Sequence, residues 1–184
     1  MKLTIISFFL IIMTVFAYAI DLPPAPSGYS WKVILNDKSA LLIPDGWFFK
    51  HETKAGTEAF FVTKEDINLN GVFKTGLTLN ILKNIDAKSS MPPSVYAMKL
   101  MSEICSSNTV IKSSSGDNGP FKTFLFQVNS KNDNETLIIH HVLAANDATG
   151  TLWLYIFEAP EEQWKEAWKT GEVMLNILAL ETEI

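Results

Sequence analysis

Residues 151–158 read TLWLYIFE. In an extended chain, Leu152, Leu154 and Ile156 fall on one side and Trp153, Tyr155 and Phe157 on the other, because successive strand side chains point to opposite faces. Apolar residues on both sides require cover on both sides. This segment is therefore expected in the middle of a sheet, with layers packed above and below it.

Two further strand-like runs lead into it, at 121–128 and 136–145, and Asn, Asp and Gly residues separate the three. Short turns between consecutive strands imply antiparallel pairing. Further upstream, extended segments are expected at 31–36 and 39–43. Pro44-Asp45-Gly46 then makes a turn, where proline presets one φ angle and glycine supplies a positive one. A strand follows from Trp47-Phe48-Phe49, with others at 58–64 and 75–82. In the last, Leu77, Leu79 and Ile81 alternate with Thr78 and Asn80, the pattern of a half-exposed strand. Residues 65–71 read as a polar turn and 113–120 (SSSGDNGP) as a surface loop.

Two helices complete the pattern. Pro92-Pro93-Ser94 opens the first, with Val95, Met98, Met101 and Ile104 at helical spacing, and it gives out near Ser106-Ser107. The second starts at Pro160, with Glu161 and Glu162 where the helix dipole favours negative charge. Trp164, Trp168, Gly171, Leu175 and Leu178 then form one continuous face, expected to be core. The order predicts an α+β fold: a central antiparallel sheet flanked by helices.

The first 19 residues have the anatomy of a cleavable export signal. Lys2 supplies the positive start, residues 3–16 are mostly apolar, and Ala17-Tyr18-Ala19 places small residues where a signal peptidase cuts. A spanning helix needs about 20 apolar residues, and this run is shorter. Ile20 follows the cut with no cysteine beside it, so no lipid attachment site is present. Removing 19 of the 184 residues leaves 165, one domain's worth. Residues 20–30, with Pro23, Pro24 and Pro26, read as an extended lead-in, and 31–184 as a single domain. The expected location is periplasmic or secreted.

All 15 basic residues are lysines, against 20 Asp and Glu; the formal net charge of −5 becomes −6 once Lys2 is removed. Arginine is the usual reader of phosphates and base edges. An acidic chain without it is not a nucleic-acid binder, and no glycine-rich phosphate loop is present.

The sequence supplies no catalytic, cofactor-binding or metal-binding residue. G-x-S-x-G, H-E-x-x-H and C-x-x-C are absent. The lone Cys105 reads as a buried, unreactive thiol. His140 and His141 are neighbours in a strand and point to opposite faces, so they cannot share one metal; one is expected inside and one outward or hydrogen-bonded. His51 has no partner identifiable from spacing. Asp66-Ile67-Asn68-Leu69-Asn70-Gly71 matches the first half of an EF-hand loop, yet the twelfth position is Leu77 rather than glutamate. A tight turn explains these residues better. Asn134-Glu135-Thr136 is a glycosylation sequon, meaningful only in a host that glycosylates exported proteins.

The strand into Pro44-Asp45-Gly46-Trp47, the Glu65-Asp66…Asn70-Gly71 turn before Thr75-Gly76-Leu77, and Phe157-Glu158-Ala159-Pro160 before Trp164 and Trp168 resemble the PsbP-like superfamily. The likeness spans roughly residues 30–180, and together with the export signal it implies an exported bacterial relative of that family. It implies an α/β/α sandwich and a non-catalytic protein that docks onto another, here an envelope or membrane-associated partner. The runner-up expectation is a small-ligand or lipid-binding envelope protein with an apolar helix–sheet pocket near Trp153, Tyr155, Trp164 and Trp168.

Overall fold

The computed structural model describes residues 22–35, 39–131, 135–176 and 179–180. The expected export signal, Asn134 of the sequon and Leu178 lie outside the described residues. The strands are β1 (Tyr29–Ile34), β2 (Ser39–Pro44), β3 (Phe48–Lys54), β4 (Thr57–Thr63), β5 (Gly76–Leu82), β6 (Thr109–Asn118), β7 (Phe121–Lys131), β8 (Thr136–Asn146), β9 (Thr151–Pro160) and β10 (Ala179–Leu180). The helices are α1 (Ile67–Asn70), α2 (Ile85–Ser89), α3 (Pro93–Ser107) and α4 (Trp164–Asn176).

Seven strands form one sheet in the order β3-β4-β5-β9-β8-β7-β6, every neighbouring pair antiparallel. The TLWLYIFE segment lies in β9, the fourth of the seven, as its two apolar faces require. On one face Trp153, Tyr155 and Phe157 join Phe60, Val62, Leu77, Leu79 and Ile81 in a core that also takes Leu41 and Leu42 of β2 and Met174 of α4. On the other face Phe126, Val128, Leu143, Ala145 and Leu152 pack with Ile85 of α2 and Ala97 of α3. The fold is thus α+β, with a central antiparallel sheet between two covering layers. One of these layers includes a second, three-stranded sheet, β1-β2-β10, which the sequence did not separate from the main one.

The Pro44 turn closes as expected: Gly46 has φ 77°, and the Trp47 N–H donates to the Pro44 carbonyl. Helix α4 seats its tryptophans on the sheet, with Trp164 and Trp168 meeting the Phe157 ring edge-on at 5.9 Å each. Buried aromatic pairs of this geometry contribute roughly 0.5–1.5 kcal/mol beyond their area.

Five expectations need correction. The last helix, expected from Pro160, starts at Trp164, because β9 runs through Pro160 and a 3-10 turn at Glu161–Gln163 joins the two. Residues 113–118, expected as loop, continue β6, and only Gly119-Pro120 make the turn. A polar edge strand has no buried face to mark it, so pairing with β7 alone defines it. In α3, Val95 and Met98 are exposed, whereas Pro93, Ser94 and Ala97 are buried and Tyr96, Leu100, Met101, Ile104 and Cys105 pack on the sheet. The helix approaches through the small Ala97, with Leu100, Met101 and Ile104 on the same side, which turns Val95 and Met98 out to solvent. The polar turn at 65–71 contains the helical turn α1, and α2 was not anticipated at all. Finally, Tyr29 and Ser30, expected in the lead-in, already belong to β1, paired with Pro44 and Ile43.

Candidate functional site

Three places gather chemistry on this frame. The first lies between β1 and the β3–β4 hairpin, where Lys32, Phe49, His51, Thr53, Glu58 and Phe60 line a cavity of about 510 Å³. Cross-strand register places His51 opposite Phe60 and Thr53 opposite Glu58. His51 Nε2 lies 2.6 Å from Glu58 Oε2, and the Thr53 hydroxyl donates to the same oxygen at 2.9 Å. The His51 bond holds the Glu58 carboxyl below its usual range despite some burial. The His51 ring also stacks on Phe60 at 4.4 Å. This supplies the His51 partner that spacing could not show, a cross-strand diagonal. It is not a nucleophile arrangement, because the hydroxyl hydrogen goes to the carboxylate and not to the imidazole.

The second place surrounds His140 and His141. One was expected outside, yet both are buried, 6 and 5 % exposed. They do point to opposite faces, but both faces are covered there. His140 lies edge-on to Trp168 of α4 at 4.7 Å, and His141 stacks on Phe126 in the α3 core at 4.4 Å. Burial lowers each pKa to about 4, helped by Lys112 at His140 and by His140 at His141, so both rings are neutral near pH 7. The Nδ1 atom of each is buried without a hydrogen-bond partner among the described residues.

From His140 a trough runs along the sheet beneath α4. Lys112, Ser113, Ser114, Leu125, Phe126 and His140 line a cavity of about 290 Å³. Leu125 also lines the next cavity, of about 490 Å³, with Phe121, Thr123, Val142, Ala144 and, from α4, Leu175. This is a helix–sheet pocket of the kind the runner-up reading imagined, but built from other residues. Trp153 and Tyr155 are sealed in the core, 1 % exposed each, and Trp168 touches the trough only through His140 and Lys112. Polar β6 contributes Lys112 and Ser114, which no sequence signal singled out.

The third place is the edge of β6, whose ten residues are all exposed and which, among the described residues, pairs on one side only, with β7. A bulge interrupts the register between Val110 and Lys112, leaving a regular run from Lys112 to Asn118.

The remaining candidates serve structure. Asp66 caps α1 by accepting the Asn68 N–H, and Glu65 accepts the N–H groups of Lys74 and Thr75 at 3.1 Å each. Gly71 closes α1 with φ 68°. The EF-hand-like residues are therefore a capped turn whose carboxylates hold backbone. Cys105 is half-buried against the α3 core rather than fully enclosed, and burial raises its thiol pKa, which keeps it in the less reactive protonated form. Among the described residues, no group of three or more His, Cys, Asp and Glu is placed to hold a metal ion, and no helix is long and apolar enough to cross a membrane.

No protein-family model matches the sequence, and no curated protein sequence matches it either. Solved structures do. The solution structure of cyanobacterial PsbP (CyanoP) from Synechocystis sp. PCC 6803 is similar at 10 % identity and a TM-score of 0.54, over 85 % of this chain and 94 % of that one. A Bacteroides thetaiotaomicron crystal structure aligns at 13 % identity and a TM-score of 0.53, over 85 % of this chain, which spans 50 % of that one. The Saccharomyces cerevisiae Ran-binding protein Mog1p aligns at 12 % identity and a TM-score of 0.49, over 84 % of this chain and 96 % of that one. The chain therefore has the PsbP-like fold that its turns and caps resembled in sequence.

Proposed function

We propose that this protein is an exported, non-catalytic interaction module that docks a protein of the cell envelope by strand addition at β6. The open β6 edge carries the reading. An edge strand presents a row of unpaired N–H and C=O groups, and proteins normally blunt it with charge, proline or cover. The opposite edge is blunted: β3 carries Lys50, His51, Glu52 and Lys54. From Lys112 to Asn118, β6 has no proline and only Lys112 and Asp117 charged. An extended segment of a partner gains main-chain hydrogen bonds there, while side chains on alternate positions select it.

The export part of the proposal rests on Lys2, the apolar run and Ala17-Tyr18-Ala19; a periplasmic or secreted location follows from it. The non-catalytic part is supported by the His51–Glu58–Thr53 geometry and by the resemblance to a family that works by docking.

The test is a crosslinked capture from the envelope fraction of the producing organism, repeated with Ser114→Pro and Ser115→Pro. Along an antiparallel edge, alternate residues aim their N–H toward the partner strand and toward solvent, so one of these prolines removes only an outward donor. That variant should keep the wild-type melting temperature and lose the captured protein. Capture that survives both substitutions, or wild-type protein that captures nothing, would count against the proposal.

A further inference from the structure

We propose that the trough between α4 and strands β6–β8 binds a free long-chain fatty-acid anion, with its carboxylate at Lys112 and its chain lying along Leu125, Val142 and Phe121. This is independent of the β6 edge: it uses side chains on one sheet face, not the outward backbone.

The two cavities share Leu125 and lie end to end over one face of the sheet. Lys112 lies opposite Gln127 and, across β7, His140; Ser114 opposite Leu125 and Val142; Gly116 opposite Thr123 and Ala144; Asn118 opposite Phe121. These are four successive rows on a single face, because every second residue shares a side. The six steps of β6 from Lys112 to Asn118 span about 20 Å at roughly 3.3 Å per residue. Helix α4 forms the other wall, from Trp168 at the Lys112 end to Leu175 at the Phe121 end.

The trough is polar at one end and apolar along its length. Lys112 Nζ sits 5.5 Å from the centre of the Trp168 ring and has no carboxylate partner among the described residues. Beside it His140 is 94 % buried and holds an unpartnered Nδ1, and Ser114 adds a hydroxyl. No Asp or Glu lines either cavity. A cation with adjacent neutral hydrogen-bonding groups suits a carboxylate. The volumes, about 290 and 490 Å³, fall within the range of ligand sites. An ammonium head would meet Lys112 with like charge, and an uncharged amphiphile would leave it unanswered.

Calorimetric titration of the delipidated protein with dodecanoate, hexadecanoate, dodecanol and a lysophospholipid tests the assignment. The fatty acids should bind with micromolar Kd, and dodecanol about tenfold or more weaker. Lys112→Glu, an exposed change, should weaken dodecanoate by at least roughly tenfold. Ser114→Trp should weaken dodecanoate and dodecanol alike, by filling the trough. Both variants leave residues 1–19 unchanged, so lipid taken up by an apolar leader would not respond to them. Dodecanol matching dodecanoate, an unchanged Lys112→Glu affinity, or tighter binding of the lysophospholipid would overturn the proposal, as would the absence of saturable fatty-acid binding.

Discussion

Gly171 sits in the middle of α4, where glycine normally weakens a helix, and replacing it with alanine should nonetheless destabilise this protein. A Cβ at Gly171 would lie 2.7 Å from Cδ1 and Cε1 of Phe157 and 2.8 Å from Cζ. Carbon–carbon contacts prefer about 3.5–4.0 Å, so three ring atoms would each be about 1 Å too near. The ring cannot swing aside. Phe157 is fully buried in the central strand β9 and is held by Trp164 and Trp168. Overpacking of this kind costs about 1–3 kcal/mol, and the tight walls favour the upper end. Alanine in a helix interior recovers about 1 kcal/mol. The net loss is about 2 kcal/mol, which for a domain of this size lowers Tm by about 4–8 °C. Urea unfolding followed by tryptophan fluorescence should show a lower midpoint with unchanged slope. Glu172→Ala, one residue on and exposed, should change stability by no more than about 0.5 kcal/mol. Pairing Gly171→Ala with Phe157→Leu should recover part of the loss, since contacting sites are not additive. A Gly171→Ala protein as stable as wild type, or more stable, would refute the close approach of α4 to β9.

Two further perturbations follow from the same geometry. His140 and His141 have folded pKa values near 4 against an unshifted 6.5. Their contribution to stability is therefore complete above about pH 6.5 and is lost as pH falls toward 4, with a ceiling of about 3 kcal/mol for one ring. Glu158 opposes this slope, because burial raises its pKa and its own contribution is lost as pH rises. Denaturant midpoints measured across this window should fall on acidification and flatten in a His140→Gln/His141→Gln variant; a flat wild-type profile would refute the assignment. The residue before α3 is Pro92, which cannot cap it, so Asp147 takes that role from just beyond β8. Its carboxylate accepts the Ser94 N–H and hydroxyl at 2.8 Å each and meets Lys122 at 3.2 Å. Asp147→Ala should cost about 1–2 kcal/mol and Lys122→Ala less than about 1 kcal/mol, by thermal unfolding; equal effects would mean that Asp147 acts only as an ion-pair partner.

Where a residue's burial follows from its own strand or helix period, the sequence by itself determined its place. Trp153, Tyr155 and Phe157 alternating with Leu152, Leu154 and Ile156 required a central strand, and Trp164, Trp168 and Gly171 required a helix face against it; each pattern records burial every second or every third to fourth residue. The Pro44-Asp45-Gly46 turn was legible for the same local reason, since its φ angles belong to the residues themselves. Tertiary structure alone decided everything that joins residues distant in the chain. Polar β6 is a strand only because β7 lies beside it. His51 meets Glu58 only through the register of β3 with β4, and Asp147 caps α3 through Ser94, 53 residues earlier. Both histidines at 140 and 141 are buried because separate helices cover the two sheet faces, a fact no periodicity encodes. The trough is the extreme case: its cation comes from an exposed edge strand, its neutral imidazole from β8 and its far wall from α4. Local pattern reports which side of an element is covered, whereas a site is made where several elements cover one another incompletely.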